Sequence, residues 1–360
     1  MNVGIVTQPL VANYGGFLQN YAMQKALEKI GCNPITLDIE THLNTSYSGY
    51  LRYIASLFVK RTFKGGTQSY PHYWQKRPKV FDDFVKKNIK ATSKVKKYSG
   101  NLVKDYQLDC LLVGSDQVWR PKFNVFPEDM YLAFASDKQV RRVAYAASFG
   151  VDNWEYGAKL TETCRILAQK FDAISVREVS GIGLCKEHLQ VDATKVLDPT
   201  LLNDATLYNE LCKIIPKTEE KYVAIYALGL SGKAKQEIEK FAQANGMSTK
   251  FFTLDADFNL TVPEWISMIR DASFVITDSF HGTAFSIIYN KDFYSIINKS
   301  RGTSRFESIL KDFGLNGRLL DSTQPVFPKE KETIDWQKVN EKREEMKKTS
   351  MAFLCKALQV

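Results

Sequence analysis

Val3-Gly4-Ile5-Val6-Thr7, followed after a short gap by Asn13-Tyr14-Gly15-Gly16-Phe17-Leu18-Gln19-Asn20-Tyr21-Ala22, is the stretch whose reading decides the fold. The first five residues are an apolar run of strand length, and Asn13, Gly15 and Gly16 read as a flexible turn. Leu18, Tyr21, Ala22, Lys25, Ala26, Leu27 and Ile30 then recur at helical spacing until Gly31, and a second apolar run covers 35–39. Strand, turn, helix and strand in that order are a βαβ unit, which implies a parallel sheet.

The same rhythm continues outward. Residues 108–113 form a buried strand ending in Gly114, Ser115, Asp116 and Gln117, followed by strands at 142–147 and at 173–176, which ends in Arg177 and Glu178. A further apolar segment at Val196 and Leu197 runs into Asp198, Pro199 and Thr200. Around 212–220 the chain reads as a linker, after which a second series begins: strand 222–228, helix 233–242, strand 249–254, helix 263–270, strand 273–277, helix 281–289 and strand 293–297. The expected fold is therefore α/β, with two Rossmann-like domains facing a cleft, at 1–211 and 221–335, and a terminal helix in 336–360 that packs back across the boundary. Between 41 and 100 the pattern weakens into a helical insertion. There Tyr50, Leu51, Tyr53, Ile54, Leu57, Phe58 and Val59 alternate with Arg52, Lys60, Arg61 and Lys64. Such a basic amphipathic helix either packs on its own domain or makes peripheral contact with a membrane.

Composition narrows the class. The chain has 360 residues, 44% hydrophobic and 25% charged, as in ordinary globular proteins, and its length suits two cores with a cleft between them. A net charge of +9 favours anionic partners, but no nucleic-acid signature accompanies it. Six dispersed cysteines without a CxxC pair read as reduced core thiols, and four histidines without HExxH give no metal site. The start has no secretory pattern and no segment reaches membrane-spanning length, so a cytoplasmic location is expected, at or near the inner face of the membrane if the basic helix touches lipid.

The sharpest chemistry lies in Ile276-Thr277-Asp278-Ser279-Phe280-His281-Gly282-Thr283, where an apolar strand stops at polar residues and a histidine opens a helix. A helix N-terminus favours anions and disfavours the imidazolium, so His281 is placed to exchange a proton, or else Asp278 or Ser279 merely caps and His281 packs. Arg177 at a strand end and Arg305 in Gly302-Thr303-Ser304-Arg305-Phe306 are candidate clamps for a carboxylate or phosphate, with surface salt bridges as the plain alternative. Gly15-Gly16 lacks both GxGxxG and Walker A spacing, and Ser115 lacks the second glycine of a nucleophile elbow.

Taken together, the segment 13–22, Gly114-Ser115-Asp116-Gln117-Val118-Trp119, the block 144–150, Ser175-Val176-Arg177-Glu178, Leu197-Asp198-Pro199-Thr200 and 278–282 resemble the polysaccharide pyruvyl transferases in order along the chain. The resemblance implies a GT-B-like two-domain architecture and transfer of a pyruvyl group from phosphoenolpyruvate to a sugar of a surface polysaccharide or its lipid-linked precursor, usually as a cyclic ketal. It implies phosphoenolpyruvate as co-substrate, no further cofactor and no metal. It casts His281 as acid/base, Arg177 and Arg305 as anion clamps, and Asp116 as a group orienting an acceptor hydroxyl. Asn13, Tyr14, Gly15, Gly16, Gln19, Gly114, Ser115, Asp278, Ser279, Gly282 and Thr283 then line the donor or acceptor site. This chain departs from the family at Ser279, where better-known members often carry arginine two residues before the histidine; the charge then comes from Arg305, Arg301 or Lys299, or the donor differs. A GT-B-like glycosyltransferase using a nucleotide sugar and a noncatalytic glycan-assembly protein are the competing functions. The sequence leaves oligomeric state open.

Overall fold

The computed structural model describes residues 1–39, 77–124, 126–252, 260–297, 303–321, 325–328 and 332–360. The basic helix expected near 50–64 lies outside the described residues, as do Lys299 and Arg301.

Two parallel sheets form the core. The first contains β1 (Asn2–Val6), β2 (Asn33–Thr36), β3 (Cys110–Val113), β4 (Arg141–Ala147), β5 (Ala173–Val176) and β6 (Thr194–Lys195), in the order β2-β1-β3-β4-β5-β6. The second contains β7 (Tyr222–Tyr226), β8 (Ser248–Phe252), β9 (Phe274–Thr277), β10 (Phe293–Ile297) and β11 (Leu319–Asp321), in the order β11-β10-β9-β7-β8. Cys110-Leu111-Leu112-Val113 and Phe274-Val275-Ile276-Thr277 are buried at every position, as strands covered on both faces require. The fold is thus the expected pair of Rossmann-like α/β domains.

Each sheet reverses its strand order once: beside β1 in the first, where β2 and β3 flank it, and beside β7 in the second, where β8 and β9 flank it. Crevices beyond the carboxyl ends of strands at such reversals are where open α/β sheets bind ligands. The β1 and β3 ends deliver residues 7–16 and 114–117, and the β9 end delivers residues 278–282.

Three local features position the site. The first helix, Tyr14–Lys29, starts ahead of the two glycines, so Gly15 and Gly16 stand in its first turn rather than in a loop. The apolar segment at Val196 and Leu197 lies just past β6, which ends at Lys195, and leads into the turn that carries Asp198. Within the 41–100 region, the helix Lys79–Asn88 buries Phe81, Phe84 and Val85, and Phe81 stacks on Phe17 with ring centroids 4.8 Å apart.

The domains meet through an apolar seam. Tyr14 stacks on Trp265 of the helix Val262–Arg270 at 5.4 Å and 18°, and its hydroxyl donates to the Leu260 carbonyl at 2.8 Å. Phe81 meets the Tyr14 ring edge-on from the first domain, and Tyr226 does so from the second. Burying several aromatic rings of this size contributes on the order of several kcal/mol, enough to fix the floor of the cleft. The last helix, Trp336–Leu358, lies on the first domain: Ser350 Oγ accepts from the Leu197 amide and the Ala357 carbonyl accepts from Arg141 Nη1, each at 3.0 Å.

Candidate functional site

His281 is the second residue of the helix Phe280–Ile288, and its position is set by tight packing. Ser279 caps the helix by accepting from the Gly282 amide at 3.4 Å. Gly282 lies so close to β9 that a Cβ there would fall 2.2 Å from Thr277 Oγ1. Thr283 Oγ1 shares a 2.7 Å hydrogen bond with Ser295 Oγ, tying the helix to β10. Across the domain gap the imidazole rests on Gly15: a Cβ on that residue would lie 1.9 Å from His281 Nδ1. Only glycine allows this approach between the first turns of two helices from different domains.

The other side of the imidazole faces a buried charge cluster. Arg177, at the end of β5, donates from Nη1 to Asp198 Oδ2 at 3.0 Å, and its Nη2 lies 3.6 Å from Asp116 Oδ1. Its Nε is 3.8 Å from Glu178 Oε2, and its Cζ sits 4.1 Å above the centre of the Phe280 ring. His281 Nε2 is 3.8 Å from Asp198 Oδ2. Arg305, half-buried in the first turn of the helix Ser304–Asp312, lines one pocket with Arg177, Glu178, Asp198 and Phe280.

Backbone geometry places the acidic members. Asp116 has φ of +74°, in the left-handed region that a side chain rarely adopts. The strain is held by an isolated bridge to Ala147 and by the Ser148 amide donating to the Asp116 carbonyl at 3.1 Å. Its carboxylate accepts from Asn13 Nδ2 at 3.3 Å. Asp198 divides its two oxygens: Oδ1 accepts from the Thr200 amide and hydroxyl at 3.0 and 2.7 Å, while Oδ2 accepts from Ser115 Oγ at 2.9 Å and from Arg177. Glu178 Oε1 accepts from Ser148 Oγ and from the amides of Phe149 and Gly150.

The electrostatics follow from burial and charge. Burial alone would raise the Asp116 pKa, but Arg177, His281 and Arg305 outweigh it and hold the carboxyl below its usual range. Burial acts likewise on Asp198 and is outweighed by His281, Arg177 and the Thr200 hydrogen bonds, so this carboxyl too is lowered. His281 is lowered, first by burial and further by Arg177 and Arg305, against the opposing pull of Asp198 and Asp116. Burial and then Arg177 bring Arg305 down to about 10, so it stays charged at neutral pH. Among the described residues, Arg177 Nε and Nη2, Arg305 Nε, His281 Nε2 and Glu178 Oε2 are buried without a hydrogen-bond partner. Leaving such groups unpaired costs roughly 1–3 kcal/mol each, and their gathering in one place marks a site built for something polar.

The structure brings His281, Arg177, Arg305, Asp116, Asn13, Gly15 and Ser115 together. Gly16 stands one residue further along the same turn, and Gly114 continues the ladder through its amide to the Val6 carbonyl at 2.8 Å. Other candidates are turned to scaffold contacts: Tyr14 into the seam, Gln19 to Thr7 Oγ1 and the Gly16 carbonyl, Asp278 to the Leu228 amide, and Ser279, Gly282 and Thr283 to the seating of their helix. Sequence reasoning gave no role to Asp198, Glu178 or Phe280. Asp198 and Glu178 stood inside quoted motifs, yet a carboxylate before Pro-Thr also reads as an ordinary cap, which is what its Oδ1 is.

Two doubly wound domains with a polar, partly unsatisfied cluster at their facing strand ends are the layout of an enzyme that binds its substrates in the cleft. The chain belongs to the polysaccharide pyruvyl transferase family, whose model matches residues 13–300, and it is accordingly a transferase. No curated protein matches the sequence significantly. Among solved structures it is similar to the UDP-GlcNAc 2-epimerase of Methanocaldococcus jannaschii, with 12% identity, 96% of this chain and 92% of that chain covered, and a TM-score of 0.48. The UDP-GlcNAc 2-epimerase of Neisseria meningitidis gives 10% identity, full coverage of both chains and a TM-score of 0.48. A spinosyn rhamnosyltransferase gives 11%, coverage of 100% and 95%, and a TM-score of 0.44. No ligand or reaction carries over from likenesses at this level. Among the described residues no helix is long and apolar enough to cross a membrane.

Proposed function

We propose that this transferase moves the pyruvyl group of phosphoenolpyruvate onto two hydroxyls of a saccharide, releasing phosphate and forming a cyclic ketal. The observation that carries the reading is the set of buried guanidinium nitrogens on Arg177 and Arg305 that lack hydrogen bonds, beside His281. Phosphoenolpyruvate offers such a set a carboxylate and a phosphate for the free guanidinium nitrogens, and a methylene carbon for a proton donor. With Ser279 in place of a cation, Arg177 and Arg305 supply the positive charge among the described residues of the cluster.

The chemistry assigns each group a step. His281 protonates the methylene carbon, which leaves C2 electron-poor. One acceptor hydroxyl, oriented by Asp116, adds to C2 and gives up its proton to a base. The neighbouring hydroxyl then adds at C2 as the C2–O bond to phosphate breaks. Two hydroxyl protons leave the acceptor, one proton is gained by the new methyl group and one goes out with phosphate. Two guanidiniums against the carboxylates of Asp116, Asp198 and Glu178 leave the donor-free cluster with a deficit of positive charge, so an anionic donor draws a proton onto His281 as it binds.

The test is phosphate release from phosphoenolpyruvate in the presence of a panel of saccharides, with the ketal methyl group followed by proton NMR. Release and a new methyl signal with wild type, both absent with His281→Ala, are expected. Turnover of a nucleotide sugar without use of phosphoenolpyruvate would put a glycosyltransferase in its place.

A further inference from the structure

We propose that Asp198 is a positioning residue for His281, one that holds the proton on Nε2, leaves Nδ1 on the Gly15 side of the ring as the exchanging nitrogen, and steadies the imidazolium during turnover. This deepens the acid/base reading of His281 and rests on it. Three observations carry it. Asp198 Oδ2 is the carboxylate oxygen nearest Nε2, at 3.8 Å, and Nε2 is buried without another partner among the described residues. Asp198 is itself locked, with Oδ1 held by Thr200 and Oδ2 by Ser115 Oγ. The same Oδ2 accepts from Arg177, so one carboxylate sets the spacing between an anion clamp and the imidazole on opposite sides of the domain gap. At 3.8 Å the contact is electrostatic rather than a hydrogen bond, and it favours the proton on the nitrogen nearer the carboxylate.

Among the described residues, the charged groups that act most on His281 are Asp198 from the loop after β6, Asp116 from the loop after β3, Arg177 from the end of β5 and Arg305 from the helix Ser304–Asp312. The first two favour the imidazolium and the arginines oppose it. Asp198→Asn keeps an oxygen for Thr200 but removes the charge. It also removes a negative group from beside the anion clamp, so its effects on turnover and on donor binding have opposite signs, which a purely structural loss would not give.

Asp198→Asn is compared with wild type for kcat, for phosphoenolpyruvate binding, for the pH dependence of kcat and for the NMR titration and tautomer of His281. Expected are a fall in kcat of about 10²-fold, donor affinity equal or tighter, and an alkaline limb of kcat moved to lower pH. The His281 titration should move the same way. A folded variant with unaltered kcat and an unaltered His281 titration would overturn the proposal and leave Asp198 as a turn cap. Should Asp198→Asn not fold, Ser115→Ala decides: it keeps the charge and removes one of the two hydrogen bonds that hold Oδ2, so kcat should fall about tenfold with the alkaline limb in place, and unchanged kcat overturns the idea. If wild type does not use phosphoenolpyruvate, the donor reading fails by itself, and the His281 titrations in wild type and variant still decide the Asp198 proposal.

Discussion

Gly15→Ala isolates the contact that joins the two halves of the site. The added Cβ would fall 1.9 Å from His281 Nδ1 and 2.5 Å from Cγ and Cε1 of the ring. To reach ordinary contact the imidazole must retreat by about 1.5 Å or more, and the ring has little room because Gly282 already lies against Thr277. A misplacement of about 1 Å at a reacting group costs about 10²-fold in rate. Stability should change far less. Alanine in a helical turn is better than glycine by about 1 kcal/mol, against about 1–3 kcal/mol for overpacking, a net loss of about 0–2 kcal/mol. Gly16→Ala is the matched control, because its nearest neighbour, Asn13 Nδ2, would be 3.4 Å away. The assay is phosphate release with an acceptor, beside urea unfolding and the NMR signal of His281. Near wild-type turnover in Gly15→Ala, or an equal loss in Gly16→Ala, would refute the close approach as the determinant of the site.

Arg177→Ala leaves Asp116, Asp198 and Glu178 buried around a vanished cation; a loss of about 3–5 kcal/mol in unfolding free energy and of donor binding is expected by urea denaturation and calorimetry. The lowered pKa values of Asp116 and Asp198 give the acid limb a definite sign. Their stabilisation is complete above the unfolded carboxylate value of about 4 and is lost as pH falls through the lower folded values. Asp116→Asn should therefore flatten the decline of unfolding free energy in that window. Tyr14→Phe removes the hydroxyl bond to Leu260 but keeps the ring, so a loss of about 1 kcal/mol is expected against about 3–5 kcal/mol for Tyr14→Ala, both read from thermal unfolding. Among the six free cysteines Cys355 alone is not buried, and burial pushes the thiols of Cys164 and Cys185 up to about 12; mass spectrometry after native alkylation should find Cys355 modified first.

Both sheets were legible because their strands are buried on two faces and stand out as apolar runs between Gly- and Asp-bearing turns. Boundaries slipped where local rules compete. Gly15 and Gly16 read as a turn because glycine is a poor helix former, but the position opposite His281 demands a residue without a side chain, and tertiary packing overrode propensity. His281, Arg177, Arg305 and Asp116 were visible as polar residues at strand or helix ends. Their convergence was not, since it depends on how two domains dock through Tyr14 and Trp265. Asp198 escaped because its cap hides its second oxygen. A pattern that identifies one oxygen's partner says nothing of the other, which faces residues far away in the chain.

The most direct test of the central claim is calorimetric titration of phosphoenolpyruvate into wild type, His281→Ala and Arg177→Ala, with nucleotide sugars as rival ligands. The account expects saturable binding to wild type, retained in the histidine variant and lost in a folded arginine variant. Binding of a nucleotide sugar with none of phosphoenolpyruvate would contradict it.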